Sequence, residues 1–413
     1  MTADRRGPRA SLPVIGPRQD PRPGLSGVEP TELDAWLVAR GEPSYRARQV
    51  ADALWRGAAA TLGDVRTLPV GLRGALDEAF RFDTLSETDV RITDGGLTEK
   101  ALHRLSDGAL VESVLMHFPG GRDRRERHTL CISSQAGCAV GCPFCATGEL
   151  GFARDLTAAE IVDQVRHAAH RLAHDGRRLT NVVFMGMGEP LLNLDAVLAA
   201  IAALADPRRF GLGARHITVS TSGVVPGIRR LTAMGPQFTL AVSLHAARDS
   251  LRDVLVPLNR RWPVKEVVEA ARDHARATGR RITYEVTMIA GINDTDADAQ
   301  AMAELLRGDL AHVNLIPMNS VAHTPWHASS MDTIERFAGV LRAAGMSTTI
   351  RRNRGQDIGA ACGQLAAEQA GEPPSPVVAR RRAIIVRDSA AALRGERNRR
   401  PIGVDAVPVG VGD

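Results

Sequence analysis

From Thr129 onward the chain repeats one rhythm six times, a short apolar run followed by a stretch with apolar residues three and four apart. The runs are "TLCIS", "NVVFMG", "HITVSTSG", "FTLAVSLH", "RITYEVTMI" and "HVNLIPM". Short apolar runs read as buried strands and the intervening periodicity reads as helix. Strands joined through helices run parallel, because each crossover returns the chain to the edge from which it left. The expected fold is therefore α/β, with the sheet either open and doubly wound or curled into a barrel. The first of these helices opens on Thr157 and Glu160 at capping-box spacing and should bury Ile161, Val165, Ala168 and Leu172. Polar residues gather where the strands end: Gly188 and Glu189, Ser220 and Ser222, Ser243 and His245, and Asn319. In α/β folds that edge carries the chemistry.

The flanks differ in texture. Residues 1–28 hold five prolines and five arginines without apolar periodicity, and are expected to be a disordered arm. Residues 29–87 read as a helical module built from "PTELDAWLVARG", "RARQVADALWRG" and "VGLRGALDEAF". Residues 88–128 change to alternation, as in "GALVESVLMHF", and then to the charged loop "PGGRDRRERH", which suggests a β-hairpin lead-in. A core over 129–366 follows. Beyond the "GEPPSP" break, residues 367–413 read as a basic, disordered tail, with eight arginines against five acids from Glu372 onward. A net charge of +5 and a pI near 9.3 fit a polyanionic partner, as would an arginine-favouring genome. At 4% aromatic residues, a continuous base-stacking platform is not expected. No apolar run approaches the about 20 residues that cross a bilayer. The amino terminus lacks the pattern of a secretory signal. A cytoplasmic protein without a membrane partner is expected.

The stretch "CAVGCPFC" puts three of the five cysteines, Cys138, Cys142 and Cys145, at i, i+4 and i+7. An odd number in a long chain argues against a disulfide framework. Structural zinc wants four closed ligands, usually from two separated pairs. A 4Fe-4S cluster can be held by three thiolates with one iron left open, and simple buried thiols are the third possibility. The CxxxCxxC loop after the first strand of a βα array resembles the radical S-adenosylmethionine superfamily. "FMGMGEPLLN", at the end of the second strand, resembles that superfamily's glycine-rich cofactor motif. The resemblance implies a partial (β/α)6 TIM-like barrel with a small amino-terminal helical accessory domain, and one 4Fe-4S cluster on Cys138, Cys142 and Cys145. It also implies S-adenosylmethionine contacts from Gly188, Glu189, Ser220, Ser243, Leu244, His245 and Asn319. Capping or strand-end hydrogen bonding is the plainer role for each of these seven.

Taken together, "CISSQAGCAVGCPFCATG", "MGMGEP", "STSGVVP", "SLHA", "NLIPMN" and "RGQDIGAACGQL" are similar to the RlmN/Cfr family of radical RNA methyltransferases, over residues 40 to 366. Carbon 2 of adenine is neither a nucleophile nor a useful carbon acid, so methyl transfer there needs a radical. The resemblance implies that Cys362 takes a methyl group from one S-adenosylmethionine. The 5′-deoxyadenosyl radical from a second then removes hydrogen from that S-methyl group, and the carbon radical adds to adenine. Glu112 is the implied proton acceptor; it shares a strand face with Leu110, Val114 and Met116, where a carboxylate is otherwise paired or at a surface edge. Cys131 is the implied resolving thiolate, leaving a disulfide with Cys362, although in "TLCISSQ" it also reads as an ordinary buried cysteine. Cys362 follows Arg351, Arg352 and Arg354 in a polar, glycine-bearing segment that suits an accessible, reactive thiol. The implied partners are 23S rRNA, transfer RNA in some members, an electron donor such as flavodoxin, and a thiol reductant, with the chain acting as a monomer. Arg46, Arg48, Arg56 and Arg66 are candidates for RNA phosphates or for a solvated helix face. A target adenine has to be unstacked to reach a barrel mouth. Two other readings stay open: methylation at carbon 8, as in the Cfr type, and a zinc-bearing RNA-binding protein without catalysis.

Overall fold

The structure is a computed structural model that describes residues 20–56, 59–122, 125–321 and 324–351, together with 364 and 366. Three helices open it: α1 (Pro30–Val38), α2 (Tyr45–Trp55) and α3 (Val70–Ala79). Pro30 stands in the first turn of α1, where its missing N–H has no helical partner to lose. Leu33, Leu37, Val50, Leu54, Leu72 and Leu76 pack with Phe80 and Phe82 into a core separate from that of the sheet.

Next come four antiparallel strands, β1 (Leu85–Thr93), β2 (Thr98–Leu105), β3 (Leu110–Phe118) and β4 (Arg127–Cys131). They form a meander continuous with the main sheet, where a hairpin was expected, and β1 starts ahead of the 87/88 boundary. The remaining elements are β5 (Gln135–Gly137), α4 (Ala146–Leu150), β6 (Phe152–Asp155), α5 (Ala158–His174), β7 (Asn181–Phe184), α6 (Leu194–Ala205), β8 (Ile217–Thr221), α7 (Val225–Met234), β9 (Thr239–Ser243), α8 (Asp249–Leu255), α9 (Val264–Thr278), β10 (Ile282–Met288), α10 (Asp296–Leu305), β11 (Ala311–Pro317), α11 (Met331–Ala343) and β12 (Ser347–Ile350). The expected capping box of α5 forms, with Thr157 accepting from the Glu160 N–H, and Ile161, Val165, Ala168 and Leu172 are buried.

The ten-stranded sheet runs β1-β2-β3-β4-β7-β8-β9-β10-β11-β12 and is parallel from β4 onward. The order never reverses, so there is no switch point of the doubly wound kind. One face is apolar: Val182, Phe184, Val219, Leu240, Val242 and Val286 pack against helix residues such as Val165, Val197, Ile228 and Val267. The opposite face carries Ser220, Ser243, Glu285, Asn314 and Thr349, brought into line by the parallel registers. At the far end, the Arg351 guanidinium lies 3.6 Å from the Met116 sulfur of β3, so the sheet curls until the two flanks approach.

The expectation of a disordered arm through residue 28 needs correction. Leu25 is 3% exposed, its N–H donates to the Arg81 carbonyl at 2.8 Å, and Gly27 lies against Ala159 at the start of α5. One apolar anchor and a short backbone ladder hold the end of a segment whose composition is otherwise polar. The tail 367–413 lies outside the described residues.

Helix α5 also fastens the helical module to the sheet. Asp163 and Arg166 are buried and 2.6 Å apart. Arg166 donates to the carbonyls of Leu54 and Phe82, while Asp163 accepts from the Thr84 N–H and hydroxyl. Removing one partner strands a buried charge, which costs about 3–5 kcal/mol. Arg166→Ala should therefore lower the melting temperature clearly in thermal unfolding. Arg177→Ala, on an exposed 3.9 Å pair with Glu126, should leave it nearly unchanged.

Candidate active site

The cysteine loop joins β5 to α4 at the edge where β4 and β7 end. It starts at a close crossing, with the Cys138 N–H bonded to the Gly151 carbonyl at 2.7 Å. Gly137 has φ 80°, and a Cβ there would sit 1.9 Å from that same carbonyl, so only glycine fits. Cys138, Cys142 and Phe144 pack against an apolar shell that includes Ala246, Ile289 and Met318 from the strand ends and Leu255 of α8. Burial, followed by the neighbouring Cys145, pushes the Cys138 thiol up to about 12, and Cys142 well above the usual thiol range. Three crowded thiols in an apolar shell become thiolates only if a cationic centre compensates them. Among the described residues, the trio with ligand atoms all within 4.8 Å of one another is Glu87, His103 and His167, not these cysteines. Their sulfurs thus spread wider than one zinc ion with bonds of about 2.3 Å would hold them, and a larger iron-sulfur group fits the donor set better.

The neighbouring strand ends are tied together by buried polar groups. Gly188, with φ 101°, lets the chain pass Gln135, whose side-chain oxygen accepts the Glu189 N–H at 2.8 Å. The Glu189 carboxylate accepts from the Leu191 N–H at 3.0 Å, the Ser222 N–H at 2.6 Å and the Ser222 hydroxyl at 2.7 Å. Burial raises its pKa, against the pull of the Ser222 bonds. Glu189 is thus a strut between the ends of β7 and β8. Ser220 and Ser243 lie side by side on β8 and β9, their hydroxyls 3.5 Å apart. Leu244 is wholly buried. His245 has φ 60°, its Nδ1 accepts from the Thr287 N–H at 3.1 Å, and its ring meets Phe144 edge-on at 4.7 Å. Burial, with Arg252 adding to it, lowers its pKa to about 3, so the ring is neutral and carries its proton on Nε2. Asn319 lies just past β11 with its side-chain oxygen buried and without a partner.

Arg252 of α8 was not anticipated. It is fully buried and donates to the carbonyls of Leu244 at 2.9 Å and Ser222 at 2.7 Å, and to Ser243 at 3.2 Å. Asn293 acts likewise, donating to the carbonyls of His245 and Thr287. In sequence Arg252 resembles a surface position of an amphipathic helix and Asn293 an ordinary turn residue, and no local signal marks them as donors to strand ends.

On the other flank, Glu112 and Cys131 are buried on β3 and β4. Cys131 is paired in register with Val114 and packs with Val114 and Met116. Glu112 is ion-paired to Lys100 at 3.0 Å and accepts the Ala366 N–H at 2.7 Å. That carboxylate is therefore buried and paired rather than at a surface edge. Cys362 lies outside the described residues.

The unpaired oxygen of Asn319 yields a test that separates ligand binding from packing. Asn319→Leu removes a buried acceptor without a donor, so the melting temperature of the cofactor-free chain should hold or rise slightly. S-adenosylmethionine binding should weaken about tenfold, the scale of one hydrogen bond. Thermal melts and equilibrium binding on the same preparation check both.

Residues 132–306 match the family model described as the radical SAM superfamily. The chain is 48% identical, over 89% of its length and 98% of the relative's, to the "Probable dual-specificity RNA methyltransferase RlmN" of Parafrankia sp. (strain EAN1pec). A relative from Thermobifida fusca (strain YX) with the same description is 46% identical over 87% of this chain and all of its own length. Among solved structures, a radical SAM methyltransferase from Sphaerobacter thermophilus superposes with a TM-score of 0.79 at 47% identity, covering 83% of this chain and 98% of that one. These matches agree with the curled sheet, the cysteine loop and the tied strand ends: the chain belongs to the RlmN family of dual-specificity RNA methyltransferases, within the radical SAM superfamily.

Proposed function

We propose that this enzyme methylates carbon 2 of an adenine in 23S rRNA, and an adenine of transfer RNA, through a protein–RNA link formed on Cys362. One observation supports this reading most. Arg351 and Ala366, on either side of residue 362, both contact β3, at Met116 and Glu112, and Cys131 is paired with Val114 between those two positions. Four residues of chain reach at most about 14 Å, so a thiol at 362 can approach Cys131.

When bound on Cys138, Cys142 and Cys145, the 4Fe-4S cluster, charged by an external reductant such as flavodoxin, supplies with S-adenosylmethionine the 5′-deoxyadenosyl radical, a further S-adenosylmethionine being the methyl source. Gly188, Glu189, Ser220, Ser243, Leu244, His245 and Asn319 line the strand-end edge and orient that cofactor. Cys362 accepts the methyl group as a thioether and thereby carries the new carbon to the base. The 5′-deoxyadenosyl radical takes a hydrogen atom from that S-methyl group, and the carbon radical adds to adenine carbon 2. Glu112 takes the proton that leaves that carbon, while the adduct's unpaired electron returns to the one-electron redox chain that supplied it. Cys131, bedded on Val114 and Met116, then attacks the Cys362 sulfur as a thiolate. A sulfur–sulfur bond forms, the sulfur–carbon bond breaks, and its electron pair takes up a proton to complete the methyl group. The resulting disulfide is returned to two thiols by a cellular thiol reductant.

RNA is engaged by the helical module over residues 29–87. There Arg48, Arg56 and Arg66 are exposed and Arg46 is half-buried beside Glu42. The meander of β1 to β4 and the parallel strands that continue it supply the catalytic face. No helix among the described residues is long and apolar enough to cross a membrane. The enzyme meets its RNA in the cytoplasm as a monomer.

The deciding experiment is nucleoside mass spectrometry of unmodified 23S rRNA after anaerobic incubation with the reconstituted enzyme, reductant and methyl-labelled S-adenosylmethionine. Labelled 2-methyladenosine is expected, and labelled 8-methyladenosine would move the chemistry to carbon 8. Cys131→Ala should accumulate a nuclease-sensitive, slow-migrating protein–RNA adduct. In Cys362→Ala, no labelled methyl group should appear on the protein.

A further inference from the structure

Lys100 is among the most completely buried side chains described, at 0% exposure in the middle of β2. Taking an ammonium out of water costs several kcal/mol and is tolerated only beside a compensating charge. That charge is Glu112 on β3, 2% exposed, with Nζ and Oε2 3.0 Å apart. The antiparallel register brings them together: Lys100 stands opposite Val114 and Glu112 opposite Leu102, so the pair lies diagonally on one face. The second oxygen of Glu112 faces the carboxyl-terminal segment and receives the Ala366 N–H at 2.7 Å, a bond between residues 254 positions apart. Ala366 is 2% exposed and packs into the main core.

We propose that Lys100 is a positioning residue: its buried ammonium holds the Glu112 carboxylate so that the second oxygen seats Ala366, four residues beyond Cys362 in sequence, against β3, the strand paired with the one that carries Cys131. The role of those two cysteines rests on the proposed function; the seating of Ala366 does not. A hydrogen bond to an ionised acceptor is stronger than one to a neutral group, so the tether is strongest while the carboxylate is charged, before it takes up the adenine proton. Without the Lys100 ammonium the carboxylate loses the ion pair that aims it and turns away, releasing the amide. A lysine that only stiffened the meander would give a different signature, a general loss of stability with no selective change at Ala366.

The test is amide hydrogen exchange followed by mass spectrometry on the full-length reconstituted enzyme. The peptide containing Ala366 is read against one from β10 as an internal standard. In Lys100→Met the Ala366 peptide should exchange about tenfold faster or more, the scale of one charge-assisted hydrogen bond, while β10 keeps its protection. Lys100→Arg should restore most of the protection. If Lys100→Met does not fold, Lys100→Gln decides, because it keeps a donor beside Glu112 without the charge; it too should show faster exchange at Ala366. Wild-type protection of the Ala366 peptide in whichever of these folds overturns the proposal. The same proteins are then treated with oxidised glutathione and the Cys131–Cys362 peptide is quantified. It should form in the wild type and slow in the variants in step with the exchange. A wild type that never forms it overturns the reading of the two cysteines, while the exchange rates at Ala366 still decide the role of Lys100.

Discussion

Among the described residues, α5, α6, α7, α9, α10 and α11 all pack into the core on one face of the sheet, so the other face has to be satisfied without a hydrophobic lid. This constraint follows from a strand order that never reverses, and most of what is unusual in the molecule answers it. Along β10 to β12 the inner face is a chain of polar contacts. The Asn314 amide donates to Glu285 at 2.7 Å and the Thr349 hydroxyl donates to Asn314 at 3.0 Å. Burial raises the Glu285 pKa, with the Asn314 bond opposing it. On β2 to β4 the same face carries Lys100 and Glu112. A concave polar wall of this kind is not a core; it is the lining of a space meant for something else.

The strand-end edge meets the same problem with different means. Loops that leave a parallel sheet expose carbonyls and amides that no neighbouring strand can pair. Here Arg252, Asn293, Gln135 and Glu189 collect them, each buried and each reaching across at least two elements. The cysteine loop is packed against the same edge. The shape of the cofactor face is therefore set by side chains whose roles are largely structural, and the residues free to meet a ligand, such as Asn319, are the exceptions among them.

Legibility in the sequence followed the range of the interactions. The six apolar strands and the α5 cap are local patterns and could be read directly, as could the three cysteines, which share one loop. β12 could not: "STTI" has no apolar run, and its half-exposed edge position gives periodicity little to act on. Leu25 was hidden inside a proline- and arginine-rich arm. Lys100 and Arg252 were invisible for a different reason, since a charged residue in an amphipathic stretch points by default to solvent. Only the register between β2 and β3, or the convergence of two strand ends, turns such a charge inward. The link from Glu112 to Ala366 spans 254 positions and leaves no trace in either local sequence.

His245 holds a left-handed backbone, which for a residue other than glycine costs of order 1–3 kcal/mol. Its ring is fixed by the Thr287 N–H, and its carbonyl by Asn293. The distortion is therefore held by hydrogen bonds within the protein itself. A ligand docking against this turn meets a surface already in its working shape. None of its affinity is diverted into ordering the loop, and association need not wait on a conformational search.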